Sequence, residues 1–129
     1  MRSFKHYVTV NIAHLDELKH VNNVQYLQWV QDIAGAHWKT LISGKTNDFG
    51  IWVVRSHYIE YKRQVKLGDR IRIETHVEKT EGFLSERIVR FYLGDTSTLA
   101  VQCSTQWCYL EPTTQKLIRI PTKIIELFA

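Results

Sequence analysis

Two cysteines in 129 residues are too few to build a disulfide framework. Cys103 and Cys108 fall on one predicted strand with opposite parity. Their side chains should point to opposite faces and stay unpaired, which reads as reduced thiols in a cytoplasmic protein. No apolar run is long enough to span a bilayer, and no secretory h-region stands near the start, so no membrane association is expected. Met1-Arg2-Ser3-Phe4-Lys5-His6 reads instead as the opening of a strand. There is no Gly-rich phosphate loop, no Gly-x-Ser-x-Gly elbow and no His-Glu-x-x-His pair. His14 and His20 have no cysteine in metal-ligand spacing, so no metal is expected, and no cofactor either. The aromatics do not interleave with the basic residues as a nucleic-acid platform requires. Repeats and low-complexity linkers are also absent. The net charge of +4 comes without a long Lys/Arg run, which fits a solvated basic surface or, less directly, an anionic ligand.

What is present is one long helical pattern with an unusual approach to it. At this length the chain is expected to form one domain over residues 1–129 with a substantial core. Residues 14–21 are a polar run holding Asp16 and two imidazoles, and they lead into a helix predicted from Val24 to about Ile42. Asn22 and Asn23 suit the N-cap, where a side-chain oxygen accepts from free first-turn N–H groups. Gly44 suits the left-handed position that ends the helix. The polar positions Gln25, Gln28, Asp32, Gly35 and Lys39 form one narrow stripe, and the rest is mostly apolar. A helix apolar around most of its girth should be enclosed by other elements.

The flanking segments read as strands. Residues 4–12 alternate, Gly44-Lys45-Thr46-Asn47-Asp48-Phe49-Gly50 reads as a loop, and Ile51 to Gln64 reads as a long strand. Residues 70–79 place Ile71, Ile73, Thr75 and Val77 on one face and Arg70, Arg72, Glu74, His76 and Glu78 on the other. Turns at Glu81-Gly82 and Gly94-Asp95 separate strands at 84–93 and 98–110. A short strand from Lys116 to Ile120 precedes a final helix, Thr122 to Phe128, with Pro121 at its first position. The order β-α-β-β-β-β, with strands running consecutively antiparallel, implies an α+β fold: an antiparallel sheet wrapped around one long apolar helix. Edge strands left open by such a sheet could be covered by a second copy, so a homodimer or homotetramer is expected.

The phrase Asp16-x-x-x-His20-Val21-Asn22-Asn23-x-x-Tyr26 resembles the signature of hotdog-fold acyl thioesterases. It is similar to the 4-hydroxybenzoyl-CoA thioesterase family and to the plastid acyl-carrier-protein thioesterases. The likeness runs along the chain, through Glu60-Tyr61-Lys62-Arg63, the Gly68-Asp69 turn and the Pro121 helix. It implies a hotdog fold and hydrolysis of an acyl-CoA or acyl-carrier-protein thioester, with Asp16 at the position of the catalytic carboxylate. Three departures stand out. Lys19 replaces the usual Gly before the His, and His14 replaces an Asp often found two residues before the catalytic one. Leu18 and Gln64 occupy positions where the carrier-protein branch uses Asn and Glu, which favours a coenzyme A substrate.

Thioester hydrolysis needs a nucleophile or a base for water, and donors for the oxyanion. Asp16 could attack the carbonyl or deprotonate water. Its structural alternative, a helix cap, would need it nearer than six residues ahead of Asn22. Helix-start N–H groups near Asn22, Asn23 and Val24 could hold the oxyanion, at roughly 10²–10³ in rate per donor. His20 could orient substrate or help a proton move, or could hydrogen-bond backbone and fix the loop. Asn22 and Asn23 read first as capping residues, Tyr26 and Trp29 as core, Glu17 as a solvent-facing loop residue. Gln64 could orient a water from a facing strand or be an ordinary strand residue. Lys62, Arg63, Lys66, Arg70 and Arg72 could meet coenzyme A phosphates or form a hydrated strand face. A non-catalytic acyl-binding or assembly module on the same fold is the second reading. A hotdog hydratase fits less well, because its Asp and His lie five apart in an Asn-Pro-containing motif.

Overall fold

A computed structural model describes residues 1–129 with the exception of Asn47, so that member of the expected 44–50 loop lies outside the described residues. The elements are β1 (Ser3–Thr9), a 3₁₀ turn (Ile12–His14), α1 (Asn23–Ile42), β2 (Ile51–Tyr61), β3 (Arg70–Glu81), β4 (Leu84–Leu93), β5 (Leu99–Leu110) and α2 (Thr122–Phe128). The strands form one antiparallel sheet in the order β1-β3-β4-β5-β2. This is the expected α+β arrangement, with one correction. Only β3, β4 and β5 pair consecutively, and β2 crosses to the far edge beside β5. Register shifts at Val54/Ser56, Val77/Lys79 and Phe91/Tyr92 mark bulges, which bend strands and raise local twist.

Local chemistry explains where the other boundaries move. The first strand stops at Thr9 because Asn11 caps the following turn. Its side chain accepts from Ala13 N–H at 2.9 Å, and His14 Nδ1 accepts from Asn11 N–H at 3.0 Å. The strand read to Gln64 ends at Tyr61, because the Lys62 and Arg63 N–H groups both turn onto the Ala100 carbonyl, at 2.7 and 3.0 Å. Residues 116–120 form no strand; a single bridge joins Leu117 to Leu110. Pro121 precedes α2 as its N-cap residue rather than sitting inside it. Gly50 enters β2 beneath Tyr109, whose hydroxyl accepts its N–H at 2.6 Å. A Cβ there would meet the tyrosine ring and the Leu110 carbonyl at 2.5 Å, so no larger residue fits.

Helix α1 begins one residue before Val24 and buries Tyr26, Trp29, Val30, Ile33, Ala34, His37 and Leu41. Gln28, Gln31, Asp32, Gly35, Lys39 and Thr40 are exposed, so the enclosure expected on most sides is absent in the single chain. The apolar stripe faces the sheet and the polar stripe, wider than expected, faces outward. Gly44 ends the helix region with φ 74°, as its position suggested. Among the described residues no helix is long and apolar enough to cross a membrane. Cys103 is buried, Cys108 half-buried, and both are free.

The core has two parts with a polar belt between them. The larger cluster joins Tyr26, Trp29, Val30 and Ile33 to Ile71, Ile73, Val89, Phe91, Val101 and Cys103. The smaller joins Leu41, Val77, Tyr109, Ile120, Ile124 and Phe128. Thr75, Arg87 and Thr105 on successive strands, with His37 on the helix, occupy the level between. One Arg87 nitrogen, Nη1, lies 2.9 Å from His37 Nδ1 and donates to Thr75 Oγ1 at 3.2 Å.

His37 is 2% exposed, and burial, with Arg87 and Arg2 adding repulsion, lowers its pKa from 6.5 to about 4. The unfolded chain therefore takes up this proton first as pH falls. Stabilisation from neutral His37 is complete above pH 6.5 and is lost as pH drops through about 4. The loss should be about 2–3 kcal/mol across that window. His37→Gln keeps an acceptor for Arg87 without the titration and should remove that part of the slope. Urea unfolding of both proteins between about pH 7 and pH 4 checks this; parallel profiles would refute it.

Candidate active site

The loop ahead of α1 is held by Asp16. Its Oδ1 accepts the Leu18 and His20 N–H groups at 2.9 and 3.1 Å. The backbone closes the same loop: Asp16 N–H donates to the His20 carbonyl at 2.7 Å, and Lys19 N–H to the Asp16 carbonyl at 3.0 Å. This is the local side-chain-to-backbone bonding that aspartate favours in turns. The closed loop forces Lys19 to φ 63°, a left-handed conformation with no steric cost only for glycine. Glycine, which the resemblance places at this position, would adopt that conformation without strain.

Immediately after it the chain enters the helix. Asn22 N–H donates to the His14 carbonyl at 2.9 Å, and the Asn22 side chain accepts from Val24 N–H at 3.0 Å. Asn22 is thus the N-cap, and Asp16 is not a helix cap. Three backbone donors were candidates for the oxyanion, and the structure separates them. Asn22 and Val24 are occupied, whereas Asn23 N–H has no acceptor among the described residues. Val24 is 71% exposed and is not among the residues that line the adjoining cleft.

His20, Asn23 and Gln64 come together. With Tyr26, Tyr61 and Arg63 they line a cleft of about 320 Å³. Gln64 reaches it from the bend after β2 rather than from a strand. Asp16 does not line the cleft; it is exposed on the loop and joined to the His20 backbone in both directions. Its Oδ2 carries no hydrogen bond among the described residues. The His20 imidazole likewise makes no hydrogen bond to backbone, and the loop-fixing role falls to His14. That ring accepts from Asn11 and packs edge-on against Trp29 at 4.9 Å.

Tyr26 and Trp29 belong to the core as expected, although Tyr26 also borders the cleft. Burial, then the nearby Tyr61 and Asp69, push the Tyr26 hydroxyl up to about 12, so it remains a neutral donor at neutral pH. The basic group divides. Lys62 lies 3.7 Å from Glu60, Arg70 4.0 Å from Asp95, and Arg72 pairs with Glu74 and stacks on Tyr92. Arg63 and Lys66 have no carboxylate partner among the described residues, and Arg63 lines the cleft with Lys62. Tyr61 at the cleft was missed by sequence reasoning, since nothing in strand periodicity marks the last residue before a bend.

The model of the acyl-ACP thioesterase N-terminal domain matches residues 1–128. No curated protein matches the sequence. Three solved structures share the fold at low identity. A 1,4-dihydroxy-2-naphthoyl-CoA thioesterase from Synechocystis superposes with TM-score 0.83 at 13% identity, over 98% of this chain and 96% of its own. A Staphylococcus aureus protein solved in complex with CoA gives 0.82 at 16%, over 98% and 84%. The 12:0-ACP thioesterase from Umbellularia californica gives 0.82 at 15%, over 98% of this chain and 51% of its own. The sheet and its single long helix are therefore the hotdog fold.

Lys19 carries a testable cost. Lys19→Gly should stabilise the protein by about 1 kcal/mol through relief of the left-handed strain, and Lys19→Val should destabilise it. Urea unfolding measures both, and equal stability of the three proteins would show a relaxed loop.

Proposed function

Because the chain belongs to the acyl-ACP thioesterase family, we propose that it hydrolyses an acyl-coenzyme A thioester to free acid and thiol. An acyl-carrier-protein thioester is the alternative substrate. The observation that carries this reading is the convergence of His20, Asn23 and Gln64 on one cleft, with the Asp16 loop tied to its wall. Asp16 acts as nucleophile or as general base through Oδ2, the oxygen not used by the loop. In the base route it takes a proton from water, the hydroxide adds to the carbonyl carbon, and the C–S bond breaks. The thiolate recovers the proton from Asp16. The oxyanion formed on addition accepts from Asn23 N–H, with the Tyr26 hydroxyl as a further neutral donor at the cleft. His20 and Gln64 orient substrate or water.

Coenzyme A is favoured by Lys62 and Arg63 beside the cleft, where phosphates would find cations. Leu18 and Gln64, in place of the Asn and Glu of the carrier-protein branch, argue the same way. The assembly belongs to the proposal as well: a second copy against the edge strands β1 and β2 gives a homodimer or homotetramer, working in the cytoplasm as one domain over residues 1–129. Exposed Val53, Tyr58 and Tyr61 on β2 support contact at that edge.

The chemistry and the loop can be tested separately at one residue. Asp16→Asn retains an Oδ1 acceptor for Leu18 and His20 but cannot act as base or nucleophile. Thiol release across short, long and aromatic acyl-CoAs should fall by about 10²–10⁴-fold, with the melting temperature unchanged. Unchanged turnover would remove Asp16 from the mechanism. Tight acyl-CoA binding with no thiol release by the unaltered protein would mark a binding module instead.

A further inference from the structure

The residue least expected in this interior is Arg87. Its side chain is buried, with the residue 4% exposed, and no Asp or Glu among the described residues pairs with it. Buried guanidinium groups are normally neutralised by a carboxylate, because desolvation of an unpaired charge is costly. Here one nitrogen is spent on His37 and Thr75, both neutral partners, and Phe128 lies beneath the group at 5.8 Å. Burial lowers its pKa to about 10, which leaves it cationic at neutral pH. Of its five N–H donors, those on Nε and Nη2 have no acceptor among the described residues.

A second unpaired donor stands at the same place. Trp107 Nε1 is fully buried with no hydrogen-bond partner among the described residues, and it is closed to a water-sized probe, so Trp107 meets open space through its ring rather than through this nitrogen. Arg87 and Trp107 both border a cavity of about 320 Å³ between α1 and the β4-β5-β2 side of the sheet. Trp38 and Trp52 supply apolar wall, and Gln31 and Gly35 lie on the exposed side of the helix. Apart from the adjoining residues and the helix's own backbone, no atom of the described residues lies within 4 Å of where a Cβ of Gly35 would stand. A mid-helix glycine normally destabilises, so this one costs stability while leaving the cavity wall open.

We propose that this cavity is a binding site for an organic carboxylate, its anionic end held by the free Nε and Nη2 donors of Arg87 and its aliphatic or aromatic body by Trp38, Trp52 and Trp107. The donor set favours a carboxylate over phosphate. One guanidinium with donors free on Nε and Nη2 can satisfy a monoanion with two oxygens, whereas a strongly hydrated dianion surrounded by indole rings would keep most of its oxygens unpaired. The volume lies at the lower end of small-molecule sites, about 300–1,000 Å³. Arg87 sits apart from the cleft at His20 and Asn23, and occupancy is read without turnover, so the inference does not rest on the thioester reading.

Calorimetric titration of the whole chain with octanoate and benzoate, against octanamide and benzamide, decides it. The acids should bind at least about tenfold more tightly than their amides. Arg87→Met should abolish that preference. Gly35→Leu, which improves the helix while filling the cavity, should remove binding of acid and amide alike. Equal affinity of acid and amide, binding of inorganic phosphate in preference to either acid, absence of acid binding, or acid binding retained in Gly35→Leu would each overturn the proposal. If Arg87→Met fails to fold, the acid–amide comparison on the unaltered protein and the Gly35→Leu titration still give the answer.

Discussion

One helix has to cover a sheet wider than itself. The five strands span about 19 Å at about 4.8 Å spacing, while a helix with its side chains is about 10–12 Å across. Helix α1 approaches β1 and β3 most closely, so the β5-β2 side is left for other groups to fill. Three devices fill it. Helix α2 and the segment before it close the far end with Ile120, Ile124 and Phe128. Large aromatics reach across the gap, as Trp38 does to Trp52 and Phe49 at 5.6 Å each. What remains is the cavity beside Arg87 and Trp107. The mismatch in width thus produces both the second core and the pocket, and it leaves the outer face of α1 open.

The polar belt follows from the same geometry. Thr75, Arg87 and Thr105 lie on adjacent strands, with Arg87 and Thr105 directly paired in register. His37 meets them from the helix between Ile33, the last α1 residue of the larger cluster, and Leu41, which belongs to the smaller. A belt of this kind has little tolerance for change, because each buried donor needs its acceptor. It also sets a register marker: slipping β4 by one residue against β3 would set Ile88 or Arg90 opposite Thr75 in place of Val89 and carry Arg87 out of the interior. The half that lies toward Asp16 has Tyr26, Trp29 and Phe91 in mutual ring contact. That packing fixes the first turn of α1, and with it the direction of the Asn23 N–H.

Much of this was legible in the sequence. The helix limits, the β3-β4-β5 meander and the terminal helix follow from apolar period and turn residues, which are local properties. The crossing of β2 to the far edge was not, since pairing partners are decided by which edge the helix leaves uncovered. The end of β2 at Tyr61 was also hidden: Lys62, Arg63 and Gln64 continue no apolar pattern, but nothing in them announces that two N–H groups will share one carbonyl. Within the site, the motif drew attention to His20 and Asn23, and both reach the cleft. It also suggested three equivalent donors where hydrogen bonding leaves one. Arg87 could have been found, because 84–93 alternates and places it in line with Ser85, Val89 and Phe91. An arginine at an inward position of a strand is a signal in its own right.

The Asp16 loop explains why a carboxylate can be exposed here without being loosely held. A surface aspartate on a free loop samples many positions, and catalysis by such a group loses the advantage of fixed geometry. Here one oxygen is committed to two backbone N–H groups, so the second oxygen is restricted although solvent reaches it. The cost falls on Lys19, the residue that must turn left-handed to let Leu18 and His20 both point their N–H groups inward. The loop would gain from glycine at 19, whereas asparagine at 16 would keep the two bonds to Oδ1 in a weaker, uncharged form. Aspartate at 16 therefore meets the needs of the loop through one oxygen, and its second oxygen stays without a hydrogen bond among the described residues.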